Sequence, residues 1–333
     1  MAEGVTWVGD ADKEIIFGTQ WDDMLDGDAE DDYLYGFEGD DEIQGGLGND
    51  RLFGDAGDDL MFLGDAIPNY QATIPELTGT GTYGEVVIWA NGVSADLGTN
   101  VNDFASGGSG NDTIIGTLAG NNIFGGPGHD YIIGTSAIMG TNQLYGGDGD
   151  DIIFHSGGNG ELFGGAGDDI MEAGVLAAYG VDLDGGAGDD YMLGGLYGDD
   201  DMFGGDGNDY LSGRGGSDEI DGGAGDDILK AGSFTGGVGT DVLRGGEGND
   251  TLYGGFTALE KTYGYGEFKY LYGDEGDDIL HGSFFPANEF MWGGSGDDTI
   301  YGGRGSGTSI LNGNEGDDTI FPTSSTYGAS AAD

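Results

Sequence analysis

Gly45-Gly46-Leu47-Gly48-Asn49-Asp50-Arg51-Leu52-Phe53 runs without a gap into Gly54-Asp55-Ala56-Gly57-Asp58-Asp59-Leu60-Met61-Phe62. The two stretches share a nine-residue frame with Gly at positions one and four, Asp at six and an apolar residue at eight. The same frame returns at Gly107, Gly125, Gly146, Gly164, Gly185, Gly204, Gly222, Gly245, Gly273, Gly293 and Gly313. A period sustained this way marks a solenoid of stacked units. Within a unit, six Gly-rich residues make a turn, because several backbone positions need φ > 0 or close approach. Three residues follow as a short strand, whose neighbours point to opposite faces. Position eight then points inward, which selects Leu25, Leu34, Ile43, Leu52, Met61, Ile114, Ile132, Ile153, Leu211 and Ile300. Two units make one coil with a strand on each side, and stacked coils bury the apolar row as a thin continuous core.

Composition leaves order against disorder open and sets the electrostatics. The 77 glycines lack a three-residue period, which excludes collagen. High net charge with much Gly points to disorder, whereas hydrophobic residues at 37% and aromatics at 11% are more than a disordered chain usually carries, so composition alone does not decide and the period does. There are 63 acidic residues against 8 Lys plus Arg, a net charge of −55. Such a chain repels nucleic acid and anionic membrane, and repels itself on compaction. Hard divalent cations are the natural counter-charge for so many carboxylate and carbonyl oxygens. No apolar run is long enough to span a bilayer. The start, Met1-Ala2-Glu3-Gly4-Val5-Thr6-Trp7, has no basic and then apolar segment of the secretory type.

The repeat resembles the G-G-x-G-x-D-x-U-x nonapeptide of the RTX (repeats-in-toxin) proteins, over roughly residues 9–321. The resemblance implies an all-β parallel β-roll, a β-helix-like solenoid with two short strands per coil and Ca2+ between turns. It also implies secretion to the outside or cell surface by the type I route, guided by an uncleaved C-terminal signal. Residues 1–62 read as an N-terminal cap and coils, 63–106 as an insertion, 107–321 as coils with irregular turns on one edge, and 322–333 as a tail. Inside the insertion, Val86–Ala90 and Val93–Leu97 flank Asn91-Gly92, a hairpin signal.

Consecutive nonapeptides alternate between the two edges of the roll. One edge is regular, with position six filled by Asp23, Asp41, Asp59, Asp112, Asp130, Asp151, Asp169, Asp190, Asp209, Asp227, Asp250, Asp278, Asp298 and Asp318. The opposite edge is degenerate and keeps the Asp at Asp32, Asp50, Asp218 and Asp241. The resemblance implies that position-six carboxylates and turn carbonyls hold each ion between adjacent coils. Carried over residue by residue, the regular edge takes about a dozen ions and the other edge few. Position five is often acidic too, as at Asp22, Asp40 and Asp58, and reads as a solvent-facing position that raises surface acidity.

No catalytic constellation emerges. The chain lacks His-Glu-x-x-His, Gly-x-Ser-x-Gly and a P-loop. His129, His155 and His281 are isolated and read as surface residues. Outward strand positions are often aromatic or aliphatic: Tyr35, Phe53, Phe124, Tyr145, Phe163, Phe203, Tyr272 and Trp292 on one sheet, and Ile115, Tyr131, Ile133, Ile152, Phe154, Tyr191, Leu193, Tyr253, Tyr301 and Phe321 on the other. They read as ladders that stiffen each sheet or as an association surface. The expected function is a non-enzymatic, Ca2+-dependent extracellular structural or surface protein, an S-layer, matrix, filament or adhesin component, with self-association or extracellular polysaccharide as partner. The alternative is a polysaccharide-binding or polysaccharide-modifying module. Ice binding ranks below both, since it needs a flat Thr-rich row.

Overall fold

The computed structural model describes residues 4–10, 12–64, 70–72, 88–90, 102–116, 120–134, 141–174, 179–232, 239–255, 267–283, 287–304, 307–323 and 326–330. They form two parallel sheets of 15 strands each and a separate two-stranded pair. The first sheet begins with Thr6–Val8, Met24–Asp26, Glu42–Gln44, Leu60–Phe62 and Thr113–Ile115 and ends with Thr319–Phe321. The second begins with Ile15–Phe17, Tyr33–Glu38, Arg51–Ala56 and Asn102–Ser109 and ends with Thr326–Ser330. Strands alternate between the sheets along the chain, so each circuit adds one strand to both. This is the β-roll that the nine-residue frame implies. Position eight stacks on position eight, as in Ile114↔Ile132 and Ile153↔Met171. The inward residues form one buried cluster from Ile16 to Leu311, and burial of this row is the main hydrophobic drive of the fold.

The two sheets differ in strand length, which the frame alone does not show. First-sheet strands have three or four residues, whereas second-sheet strands such as Gly120–Pro127 and Thr141–Asp148 have eight. The longer strands run on into the next turn, where Gly126 pairs with Gly147 and Gly165 with Gly186. Turns on the regular edge are therefore stacked main chain on main chain. Glycine is required there. At Gly186 φ is +104°, and a Cβ would lie 2.1 Å from the carbonyl oxygen of Gly165 one coil away.

The ends and the insertion depart from the sequence reading. Thr326–Ser330, assigned above to a tail, is the last strand of the second sheet. The roll resumes after the insertion at Asn102 rather than Gly107, because Asn102–Ser109 joins the second sheet. Ile88–Ala90 is a strand, but it pairs antiparallel with Tyr70–Ala72. The expected Asn91-Gly92 turn and Val93–Leu97 lie outside the described residues. Among the described residues no helix is long and apolar enough to cross a membrane.

The outward rows stack. Tyr35 and Phe53 have ring centroids 4.7 Å apart at 5°, and Phe124, Tyr145 and Phe163 follow at 4.6 and 4.7 Å. Phe104 bridges Phe53 to Phe124 at 5.5 and 5.6 Å. On the first sheet Tyr253, His281, Tyr301 and Phe321 form a second stack at 4.8–4.9 Å. Ile115 and Ile133 stand at outward positions yet are only 7% exposed, so they belong to covered surface rather than to an open stripe.

Candidate metal centre

On the regular edge the fold brings the position-six aspartates into one file. All are buried except Asp318, which is half-buried at the end of the file. Each is held the same way. The backbone N–H of one Asp donates to Oδ1 of the Asp on the next coil, from Asp23→Asp41 to Asp298→Asp318, at 2.7–3.1 Å. The other oxygen, Oδ2, is buried without a hydrogen-bond partner at every regular-edge Asp from Asp41 to Asp318. Asp23, at the start, receives the N–H of Thr19 on its Oδ2.

A file of dry, half-satisfied carboxylates is costly as it stands. Burial, followed by the charge of neighbouring aspartates, pushes Asp169 and Asp227 up to about 8. Burial likewise pushes Asp112 and Asp190 up to about 7. The backbone N–H on Oδ1 works in the opposite direction and is outweighed. A cation beside Oδ2 removes this cost.

The donor set fits a hard, oxygen-seeking ion. On the regular edge, the glycine that opens each turn from Gly18 to Gly293 leaves its Cβ space to two oxygens. At Gly185 a Cβ would lie 2.2 Å from Asp190 Oδ2 and 2.5 Å from the carbonyl oxygen of Gly204 on the next coil. Gly164 and Gly222 repeat the arrangement with Asp169 and Gly185, and with Asp227 and Gly245. Among the described residues no three His, Cys, Asp or Glu side chains converge on one point. An ion here would be held by one or two carboxylates and a majority of main-chain carbonyls, which suits Ca2+ and not Zn2+ or Cu2+.

The degenerate edge is also a file, with changed occupants. Register places Asp32, Asp50, Asp103, Asn121, Asn142, Gly160, Val181, Asp200, Asp218, Asp241, Lys269, Glu289 and Ser309 in one column. Only Asp32, Asp50 and Asp218 keep a buried Oδ2 without a partner here. Burial raises all three, Asp50 to about 7 and Asp218 to about 9. Asp241, expected as an ion ligand, has its Oδ2 engaged by the ammonium of Lys269. In the middle of the edge amides replace carboxylates. Asn121 N–H and Nδ2 both donate to Asn142 Oδ1, at 2.9 and 3.1 Å, and Asn142 Nδ2 lies 3.1 Å from His155 Nδ1. His155 is fully buried, not a surface residue, and burial lowers its pKa.

Two aspartates of this column do not show when the frame is counted forward from the glycine that opens each turn. Asp103 follows the insertion, and Asp200 follows a turn lengthened by one residue. Counting backwards from the next turn finds both, since Asp103-Phe104-Ala105-Ser106-Gly107 and Asp200-Asp201-Met202-Phe203-Gly204 share the D-x-U-x-G ending. Asp200 receives N–H groups from Val181 and Gly195 at 2.9 and 2.7 Å.

Position five is exposed as expected, but it is not idle. Asp40 Oδ1 accepts the N–H of Asp58, Asp58 Oδ1 that of Asn111, and Asp189 Oδ1 that of Asn208, at 2.8–3.0 Å. This ladder runs opposite in polarity to the position-six ladder. Its signal in the sequence is the restriction of position five to Asp, Asn and one His on the regular edge.

Two stacked parallel sheets, glycine turns and a buried carboxylate file define a β-roll of the ion-binding class. The chain matches the RTX calcium-binding nonapeptide repeat over residues 8–36, 35–66, 97–132, 140–162, 161–175, 182–196, 195–229, 234–256, 270–284, 286–308 and 305–321, and it belongs to that family. No curated protein matches the sequence.

Proposed function

We propose that this chain is a Ca2+-gated structural protein, unfolded at low calcium and built into a rigid rod once exported into millimolar calcium. The observation that carries the reading is the file of regular-edge aspartates whose Oδ2 is buried without a partner. With a net charge of −55, an ion-free roll must desolvate these carboxylates against their own repulsion. Ion binding then becomes folding free energy. Export through the type I route, implied by the family, fits a chain that stays unfolded where calcium is scarce.

Outside, the rod acts as a non-enzymatic surface or matrix component that associates through its outward rows. Phe124, at 37% exposure, lies in the stacked aromatic row of the second sheet, and Phe203, at 45%, stands apart from it between Asp184 and Asp221. Most rings of the row already lie face to face with one another, at interplanar angles of 3–5°. A sugar needs a free ring face, while a second protein chain can pack on ring edges, so the stacking favours assembly over polysaccharide binding. Light scattering of the Ca2+-loaded protein, beside a variant carrying Phe163→Ser, Phe203→Ser and Trp292→Ser, tests this. The parent should associate and the variant should not. A parent that stays monomeric at high concentration in seawater-like salt would remove the assembly reading.

A further inference from the structure

We infer that Lys269 is a permanent internal cation that fills one position of the ion file on the degenerate edge, so that this position takes no calcium. The inference rests on the calcium reading above. Lys269 stands in the position-six column, directly across from Asp241 on one side and Glu289 on the other. It is 2% exposed, and among the described residues it is the one Lys or Arg that is buried. An ammonium is costly to desolvate unless a partner compensates it, so its place in the core requires an anion there.

That anion is the oxygen which elsewhere is left for the ion. Asp241 Oδ1 accepts the N–H of Asp218 at 3.1 Å, just as each regular-edge Oδ1 accepts the N–H of the preceding coil. Its Oδ2 is the counterpart of the sixteen that lie buried without a partner, and it is bound by Lys269 Nζ. The next carboxylate, Glu289, is satisfied without an ion as well. It accepts N–H from Ser283 and Gly303 at 2.5 and 2.9 Å and the hydroxyl of Ser309 at 3.0 Å. Among the described residues, therefore, the degenerate edge from Asp241 onward is closed by side chains and main chain, and Asp218 is the last carboxylate of its column with a buried, unpartnered oxygen.

The test counts bound calcium per folded chain by equilibrium dialysis of the full protein, followed by elemental analysis. Lys269→Asp removes the internal cation and restores the family residue, so the count should rise by one. The double variant Asp241→Asn with Lys269→Gln replaces the ion pair by a neutral hydrogen-bonded pair, and its count should equal that of the parent. An unchanged count in folded Lys269→Asp, or a count one lower in the double variant, would overturn the inference. If Lys269→Asp does not fold, the double variant decides alone. A parent that binds no calcium would instead overturn the calcium reading itself, so the two failures are distinct.

Discussion

Asp190→Ala, in the middle of the regular edge, probes how many ions the fold couples. Asp190 Oδ1 accepts the N–H of Asp169 at 2.8 Å, and its Oδ2 is buried without a protein partner. Truncation leaves the Asp169 N–H buried and unpaired and removes one charged ligand, a loss of about 3 kcal/mol. If the rod folds as one cooperative unit with about a dozen ions, that loss is spread over all of them. At 1.4 kcal/mol per tenfold change, the calcium midpoint then rises only about 1.5-fold. Asp190→Asn keeps the Oδ1 acceptor and should move the midpoint less. The assay is far-ultraviolet circular dichroism against buffered free calcium, paired with denaturant unfolding at saturating calcium to read the full loss. A tenfold or larger midpoint shift would mean that only one or two ions are linked to folding. No change in either measurement would refute the ligand role.

Further outcomes follow from the same geometry. Asp209→Ala on the regular edge should raise the calcium midpoint more than Asp218→Ala, whose neighbours Asp200 and Asp241 already have both oxygens engaged; equal shifts in a calcium titration would erase the distinction between edges. Regular-edge carboxylates raised from 3.8 to between about 6 and about 8 bind more protons folded than unfolded. Their contribution to the ion-free roll is thus fully present below pH 3.8 and lost as pH rises through about 6–8. In chelator, β structure should therefore appear on acidification to about pH 5 and be absent at pH 8, and circular dichroism that stays flat across that range would contradict the burial of the file. Gly186→Ala forces a Cβ to 2.1 Å from the Gly165 carbonyl oxygen at φ +104° and should cost about 3 kcal/mol or more, read as a fall in melting temperature at saturating calcium.

The regular edge was legible because every one of its repeats keeps the spacing from Gly to Asp. Position eight fixed the core for the same reason, since a strand's period of two leaves one inward residue in three. The degenerate edge was less legible because its turns vary in length, which shifts any forward count. Its column is set by the strand that follows the turn, as Asp103 and Asp200 show. Lys269 is invisible to a motif search for a different reason. It reverses the charge at the ligand position, and only the register Asp241↔Lys269 reveals that an ammonium stands where a carboxylate is expected. Position five is exposed, as its acidity implies, but its hydrogen-bonding role is not legible from charge alone. A short side chain beside a parallel strand can accept the neighbouring coil's N–H, and Asp and Asn have that length.

The insertion gives a sharper test of whether the coil is self-sufficient. Across it the roll continues as if nothing intervened. Leu60–Phe62 pairs with Thr113–Ile115, Arg51–Ala56 with Phe104–Ser109, and the N–H groups of Asp50 and Asp59 reach Asp103 Oδ1 and Asp112 Oδ1 at 3.2 and 2.7 Å. A regular turn on this edge, from Gln44 to Arg51, needs six residues. Between Phe62 and Phe104, Leu63-Gly64 and Asn102-Asp103 already supply four of them. Replacing 65–101 by Ser-Gly would thus recreate the G-x-G-N-D pattern of Gly46-Leu47-Gly48-Asn49-Asp50. Shortening a loop of about forty residues to about six relieves roughly 1.5–2 kcal/mol of closure entropy. The excised chain should keep its calcium-induced β signal and unfold at slightly higher denaturant. A loss of β structure, or a fall of 2 kcal/mol or more where a gain of roughly that size is expected, would show that residues 65–101 contribute packing that the roll requires.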